Sequence, residues 1–327
     1  MALTTLGTSR GAIQGSVAGA LRGRRSDVRG RVFEVALLVA LLMSLLILAT
    51  LIWAVLSDGL PVYSERGWAF LDGGLSGSAE RAGISQGIIG SFWIAVAVVV
   101  LAVPLGIGAA VYLEEYAPRN ALTAFIEVNV RNLAGVPSVV YGLLGLAIFV
   151  NAMDGFSTNS GVERRTLAAA GVTLAVLVLP IMIITASEAI RAVPQSLREG
   201  AYGVGATRWE VIRTQVLPYA APGILTGALL SVARAIGEAA PLIVVGAVTG
   251  FFSQGVGLNV PNLVDAGHLS ERFVALPTTI TEWAKEPSPE FKVANASATI
   301  LAMLVFVLLI NSIAIVLRNR FEKKRST

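Results

Sequence analysis

Two residues of opposite charge, Arg234 and Glu238, stand four positions apart inside an otherwise apolar stretch that runs from about residue 219 to 248. A spacing of four puts both side chains on one face of a helix, where they pair and lower each other's cost of burial. On insertion scales a charge at the centre of a bilayer costs about 2.5–3.5 kcal/mol, so an intramembrane Arg is by default a candidate for function. Its planar fork donates two parallel hydrogen bonds, a geometry that suits the oxygens of a tetrahedral oxyanion. A structural ion pair that stitches this helix to a partner is the competing reading of the same two residues. Pro241 is expected to kink the helix just beyond the pair and help shape a cavity.

Other chemistry finds few residues to carry it. The chain has no Cys and a single His, His268, which excludes disulfides, thiolate metal sites and multi-histidine zinc sites. A nucleotide-binding phosphate loop needs a Gly-Lys step, and none occurs. No catalytic or metal-binding residue is assigned, no cofactor is expected on the chain itself, and no nucleic-acid partner is implied. His268 reads as a polar surface residue of a loop.

The elements that must position the Arg–Glu pair follow from composition. Hydrophobic residues make up 55% of the 327 residues and charged ones only 14%, with a mean hydropathy of +0.73. Such a chain belongs in membrane lipid. Six apolar blocks reach the roughly 20 residues a hydrocarbon core demands, at about 35–56, 86–112, 132–150, 167–187, 219–248 and 297–317. The predicted fold class is therefore all-α integral membrane, with six transmembrane helices.

Lys and Arg number sixteen in the segments 1–31, 113–123, 188–218 and 318–327, against seven in the alternate segments 57–85, 151–166 and 249–296. Basic residues are held on the cytoplasmic side during insertion, so both termini are expected there. The organisation read from this is a basic, flexible N-terminal segment 1–31, a transmembrane domain 32–318 and a basic tail 319–327. Glu127 and Arg131 also stand four apart, near the start of the third block, where an interfacial pair or snorkelling accounts for them.

Within 188–218, the run Pro194 to Trp209 predicts a short amphipathic helix, a turn that glycine permits, and a second helix with Thr207 as N-cap and Glu210 at its third position. An ordinary surface connector would share those features. The stretch resembles the coupling loop of ABC importer permeases, written E-A-A, three residues, Gly, nine residues, I-x-L-P. Glu199, Ala201, Gly205, Leu217 and Pro218 match in register, while Gly200 replaces the middle Ala and Gln215 the Ile.

The stretch Arg234 to Leu242, R-x-x-G-E-x-A-P-L, closely resembles permease subunits of the high-affinity bacterial phosphate transporter, as do Pro104–Tyr116 and Leu133–Leu143. Leu276–Ile280 resembles the A-type subunit more than the C-type. The resemblance implies a type I ABC importer permease fold and an inner-membrane location. It implies that Arg234 and Glu238 lie on the substrate path, and that Glu199, Gly200, Ala201, Gly205, Leu217 and Pro218 couple the chain to an ATPase. The implied partners are a homologous C-type permease in a heterodimer, two ATPase subunits that carry ATP and Mg, and an extracytoplasmic phosphate-binding protein. Permeases for sulfate or molybdate would also favour a buried Arg.

Overall fold

The computed structural model describes residues 28–153, 165–247 and 257–326. Most of the basic N-terminal segment, up to residue 27, lies outside the described residues, as does residue 248 at the end of the fifth expected span. Among the described residues there is no strand. The helices are α1 (Val28–Arg66), α2 (Trp68–Asp72), α3 (Ser85–Val111), α4 (Ala121–Ala134), α5 (Ser138–Leu144), α6 (Leu167–Arg191), α7 (Gln195–Gly203), α8 (Arg208–Val211), α9 (Leu217–Gly237), α10 (Ala240–Val245), α11 (Val260–Val264), α12 (Leu276–Trp283) and α13 (Ala296–Ser326). Wide π-type turns extend α3 (Tyr112–Tyr116) and α5 (Gly145–Val150), join α8 to α9 (Ile212–Val216) and lead into α13 (Glu290–Asn295).

Two compact units divide the chain, residues 1–54 and 55–327. In the first, residues 28–54 are helical and all exposed, with Leu, Ile and Val pointing in every direction. A helix that is apolar all round and exposed belongs in lipid or against another apolar surface.

In the second unit, α6 is the central helix, packed against α3 and α9, with α13 covering α9. Its core falls into three clusters. One surrounds Ile94, Val98, Leu174, Val178, Ile236 and Leu242. Another gathers Ala110, Ile190, Val193, Val211, Ile212 and Val216 beneath the 188–218 connection. The third holds Val62, Phe70, Ile84, Leu276, Trp283 and Phe291. That last end is fastened by Arg66, which donates to the carbonyls of Ala79 and Ala82 and to Asn295 and stacks over Phe70.

Five helical stretches are long and apolar enough to cross a membrane: Val28–Arg66, Ser85–Tyr116, Leu167–Arg191, Arg208–Gly237 and Glu290–Arg320. The expected third span, 132–150, is corrected in detail. It is the second half of a bent pair, Ala121–Ala134 and Ser138–Val150, which turn by 103° and make a sixth span if counted as one. Gly135 and Pro137 supply the cause, since proline lacks the amide a continuing helix would use and pushes Val136 out of the helical region. Tyr141 then locks the corner, its hydroxyl donating to the Leu133 carbonyl at 2.9 Å.

The fifth expected span is corrected in a similar way. Its helix starts earlier, at Arg208, and breaks at Glu238 and Ala239 before α10 resumes. Pro241 does not bend a continuous helix. It sits in the first turn of α10, where its missing amide costs nothing, and the break precedes it.

Candidate functional site

The Arg234–Glu238 pair forms, but on a different backbone from the one its spacing suggests. Arg234 closes α9, while Glu238 is the residue that caps it, in extended conformation with φ −85° and ψ 110°. Arg234 Nε stands 3.5 Å from Glu238 Oε1, and the side chains are 42% and 22% exposed within this chain. The pair is therefore loose and accessible from one side rather than sealed in the core. One turn earlier, Ser231 is buried and its hydroxyl has no hydrogen-bond partner among the described residues.

The helices that follow the two backbone breaks meet next to this pair. Helix α5, which follows the Gly135–Pro137 corner, packs on α10, which follows the Glu238–Ala239 break. Gly142 makes the approach possible, because a β-carbon there would lie 2.7 Å from Pro241 Cα. Irregular backbone at membrane depth is tolerated only where protein buries it or it lines a water-filled cavity. A half-exposed guanidinium at such a break can offer its remaining donors to an anion.

The predicted coupling residues form a knob at the other charged region. Helix α7 ends in a Schellman motif: the Ala206 amide donates to the Ala201 carbonyl at 3.1 Å and the Gly205 amide to that of Tyr202 at 2.9 Å. Gly205 takes φ +85°, the left-handed region that favours glycine. The A-x-x-x-G part of the loop pattern is thus the spacing of a helix stop. Thr207 and Glu210 form the expected capping box, with Thr207 N donating to Glu210 Oε2 at 2.7 Å.

Leu217 and Pro218 follow the wide turn Ile212–Val216, where the Leu217 amide reaches back to the Ile212 carbonyl. That widening accommodates a proline early in α9. Leu197 and Ala201 pack inward on Val193, Val211 and their neighbours. Glu199, Gly200 and Gly205 are exposed, together with Tyr202, Val204 and Trp209. The knob presents a mixed apolar and acidic outer face, with Leu197 and Ala201 of α7 turned toward the apolar cluster beneath.

Sequence reasoning missed a charge network that fixes this base. Arg191 grips Glu114 with two hydrogen bonds, 2.7 and 3.3 Å. Arg198 donates to Glu115 Oε1 from two nitrogens, at 3.0 and 3.2 Å, and to the carbonyls of Ile190 and Val193 at 2.9 and 2.6 Å. Glu115 is buried, at 7% exposure. The signal was present in the topology, because the end of the second span and the end of the fourth fall on the same side of the membrane. Glu127 and Arg131 line a shallow cleft beside Glu114, Glu188 and Arg191, and among the described residues they form no ion pair with each other.

Comparison with known proteins gives this arrangement a family. Residues 102–327 match the binding-protein-dependent transport system inner membrane component family. The probable ABC transporter permease protein YqgI of Bacillus subtilis is 34% identical over 203 residues, 62% of this chain and 65% of its own length. The phosphate transport system permease protein PstA of Yersinia pestis is 34% identical over 243 residues, 74% of each chain. PstA of Pasteurella multocida is 30% identical over 268 residues, 82% of this chain and 86% of its own. The match to YqgI and to the related YqgH of the same organism spans about two thirds and a half of those proteins.

Among solved structures, a chain of the inward-facing MetNI methionine ABC transporter aligns with a TM-score of 0.52 at 18% identity, covering 73% of this chain and 94% of that one. A chain of a bacterial ABC transporter that imports the acidic polysaccharide alginate aligns with a TM-score of 0.52 at 15% identity, covering 89% and 99%. These likenesses support the type I ABC importer permease fold. The helices, the glycine-stopped knob and the broken span beside Arg234 are therefore those of a multi-pass membrane protein that belongs to the binding-protein-dependent transport system inner membrane component family.

Proposed function

We propose that the chain is the A-type permease subunit of an ATP-driven phosphate importer, forming half of a translocation path that works by alternating access. The observation that carries this reading is the half-exposed Arg234, paired with Glu238 at a break in an apolar helix, in a chain similar over most of its length to phosphate transport permeases. Arg234 attracts and orients the oxyanion, and Glu238 holds the guanidinium in place without closing it off. The loosely held pair leaves donors for a substrate that arrives and departs.

Both termini and the knob face the cytoplasm, where Glu199, Gly200, Ala201, Gly205, Leu217 and Pro218 meet one of two ATPase subunits. ATP and Mg act on that partner, and this chain does no hydrolysis. A homologous C-type permease supplies the other half of the path, and an extracytoplasmic binding protein delivers phosphate. ATP binding closes the ATPase pair, the knob moves with it, and the path opens outward.

The test is uptake of radiolabelled phosphate into vesicles holding the assembled complex, with sulfate and molybdate as competitors. Uptake that needs ATP and yields only to unlabelled phosphate supports the proposal. A guanidinium fork serves any tetrahedral oxyanion, so uptake abolished by sulfate or molybdate would move the substrate assignment while leaving the permease role.

A further inference from the structure

The wide turn that ends α3 carries three consecutive residues that each hold an arginine from a different element. Glu114 binds Arg191 at the end of α6. Glu115 binds Arg198 in the middle of α7. Tyr116 lies under Arg208 at the start of α8, with the guanidinium carbon 4.9 Å from the ring centre. Successive side chains on a helix fan out by about 100° each, so three neighbours at its tip can reach three separate elements around it. All of them enter or flank the knob.

We infer that Glu114, Glu115 and Tyr116 act as a clamp that makes the knob and the membrane helix α3 move as one body, with the Glu115–Arg198 pair as its central link. This deepens the proposed function and rests on the reading of α7 as the ATPase contact.

Burial distinguishes this pair from an ordinary surface bridge. Glu115 and Arg198 side chains are 8% and 14% exposed, so water screens their attraction far less than it would at the surface. Arg198 also spends donors on the carbonyls of Ile190 and Val193, where a cation suits the C-terminal end of α6. One guanidinium therefore joins α7, the end of α6 and the tip of α3. The apolar base of α7 is light, chiefly Leu197 and Ala201, and resists sliding poorly because hydrophobic contact has no direction. A guanidinium bonded at once to Glu115 Oε1 and to the carbonyls of Ile190 and Val193 ties α7 to two other elements with directional bonds. Glu115 and Arg198 touch no substrate in this account and are positioning residues.

The test uses the complete complex in lipid vesicles, with binding protein present, and measures ATP hydrolysed and phosphate taken up on the same samples. Because the chain has no Cys, Ser196→Cys on the exposed face of α7 supplies a single cross-linking site to the ATPase. The expected result for Glu115→Gln is a normal cross-link, continued ATP hydrolysis and uptake per ATP lowered about fivefold or more, the lower end of a typical coupling free energy. Glu115→Asp, which keeps the charge, should recover most of that ratio.

An unchanged ratio in Glu115→Gln overturns the clamp. So does a variant that loses assembled complex while the remainder keeps the normal ratio, since that marks a purely structural pair. Absence of any cross-link in the Ser196→Cys chain with native Glu115 is a different failure, because it removes the reading of α7 as the ATPase contact and the clamp with it.

Discussion

Two of the sets of opposite charges among the described residues, Glu114 and Glu115 with their arginines and the Arg234–Glu238 pair, are built in opposite ways. At the foot of the knob, Arg198, 14% exposed, brings two nitrogens to one oxygen of the buried Glu115 at 3.0 and 3.2 Å and donates to the carbonyls of Ile190 and Val193, while the more exposed Arg191 adds two bonds to Glu114 at 2.7 and 3.3 Å. At the broken span, Arg234 meets Glu238 through one nitrogen at 3.5 Å and stays 42% exposed. A permanent joint benefits from satisfying every donor, because a buried charge left without a partner is costly. A residue meant to exchange partners must keep donors in reserve. The contrast is between the enclosed Glu115–Arg198 pair, built to hold, and the Arg234–Glu238 pair, to which the proposed function gives exchange.

The largest effect should come from cutting the second set. Arg234→Gln should lower phosphate uptake about 10–100-fold, as expected for losing a charged hydrogen bond worth about 1.5–3 kcal/mol, while the yield of assembled complex stays near normal. Arg234→Lys, which keeps charge without the fork, should fall between. The contrast breaks if the double variant Arg234→Gln with Glu238→Gln recovers uptake, because two neutral side chains can replace a holding pair and cannot replace an anion contact.

The next effect concerns the knob. Gly205→Trp should leave the chain in the membrane and weaken ATPase co-purification, and with it uptake, about tenfold, since a left-handed backbone costs an L-residue roughly 1–2 kcal/mol and tenfold in affinity is about 1.4 kcal/mol. The space around Gly205 is open, so the obstacle is its left-handed backbone and not volume. Gly205→Asn, which tolerates this conformation, should retain most function. Equal behaviour of the Trp and Asn variants would sink the backbone explanation.

How much of this was legible in the sequence differs between the two regions for a physical reason. The knob is local: its capping box and its Schellman stop each depend on residues within about five positions, and Thr207, Glu210 and the glycines of the turn announced them, whereas the wide turn before Pro218 was not foreseen. The Arg–Glu pair was legible as a pair, but its helix was not, because hydropathy runs on through Glu238 and Ala239 even though Gly237 ends one helix and Pro241 opens the next. The bent third span hid behind hydropathy, which averages over Gly135 and Pro137. The Glu115–Arg198 link joins residues 83 apart in the chain, and no local spacing encodes it.

A smaller effect tests whether the corner beside Arg234 must be tight. Gly142→Ala places a methyl against the backbone of Pro241, and overpacking of this kind costs about 1–3 kcal/mol. The expected outcome is a lower melting temperature of the detergent-purified complex and reduced uptake, with ATPase co-purification retained. If stability falls while uptake per assembled complex holds, the α5–α10 contact belongs to the holding parts of the molecule, and the exchange region shrinks to Arg234 and Glu238 themselves.

The smallest effect should be a gain. Gly200 occupies the interior of α7, exposed, where the loop pattern of related permeases has alanine, and a β-carbon there meets nothing within 4 Å. Glycine inside a helix costs about 0.8–1 kcal/mol relative to alanine, mainly in backbone freedom of the unfolded chain. Gly200→Ala should therefore stiffen α7 without touching Leu197 or Ala201 beneath it. Hydrogen exchange of the α7 amides should slow by about threefold to fivefold if that gain is realised locally, with uptake and ATPase attachment unchanged. A loss of uptake would show that the knob works by flexing, and that the clamp at Glu115 holds only its base while the outer turn is left free on purpose.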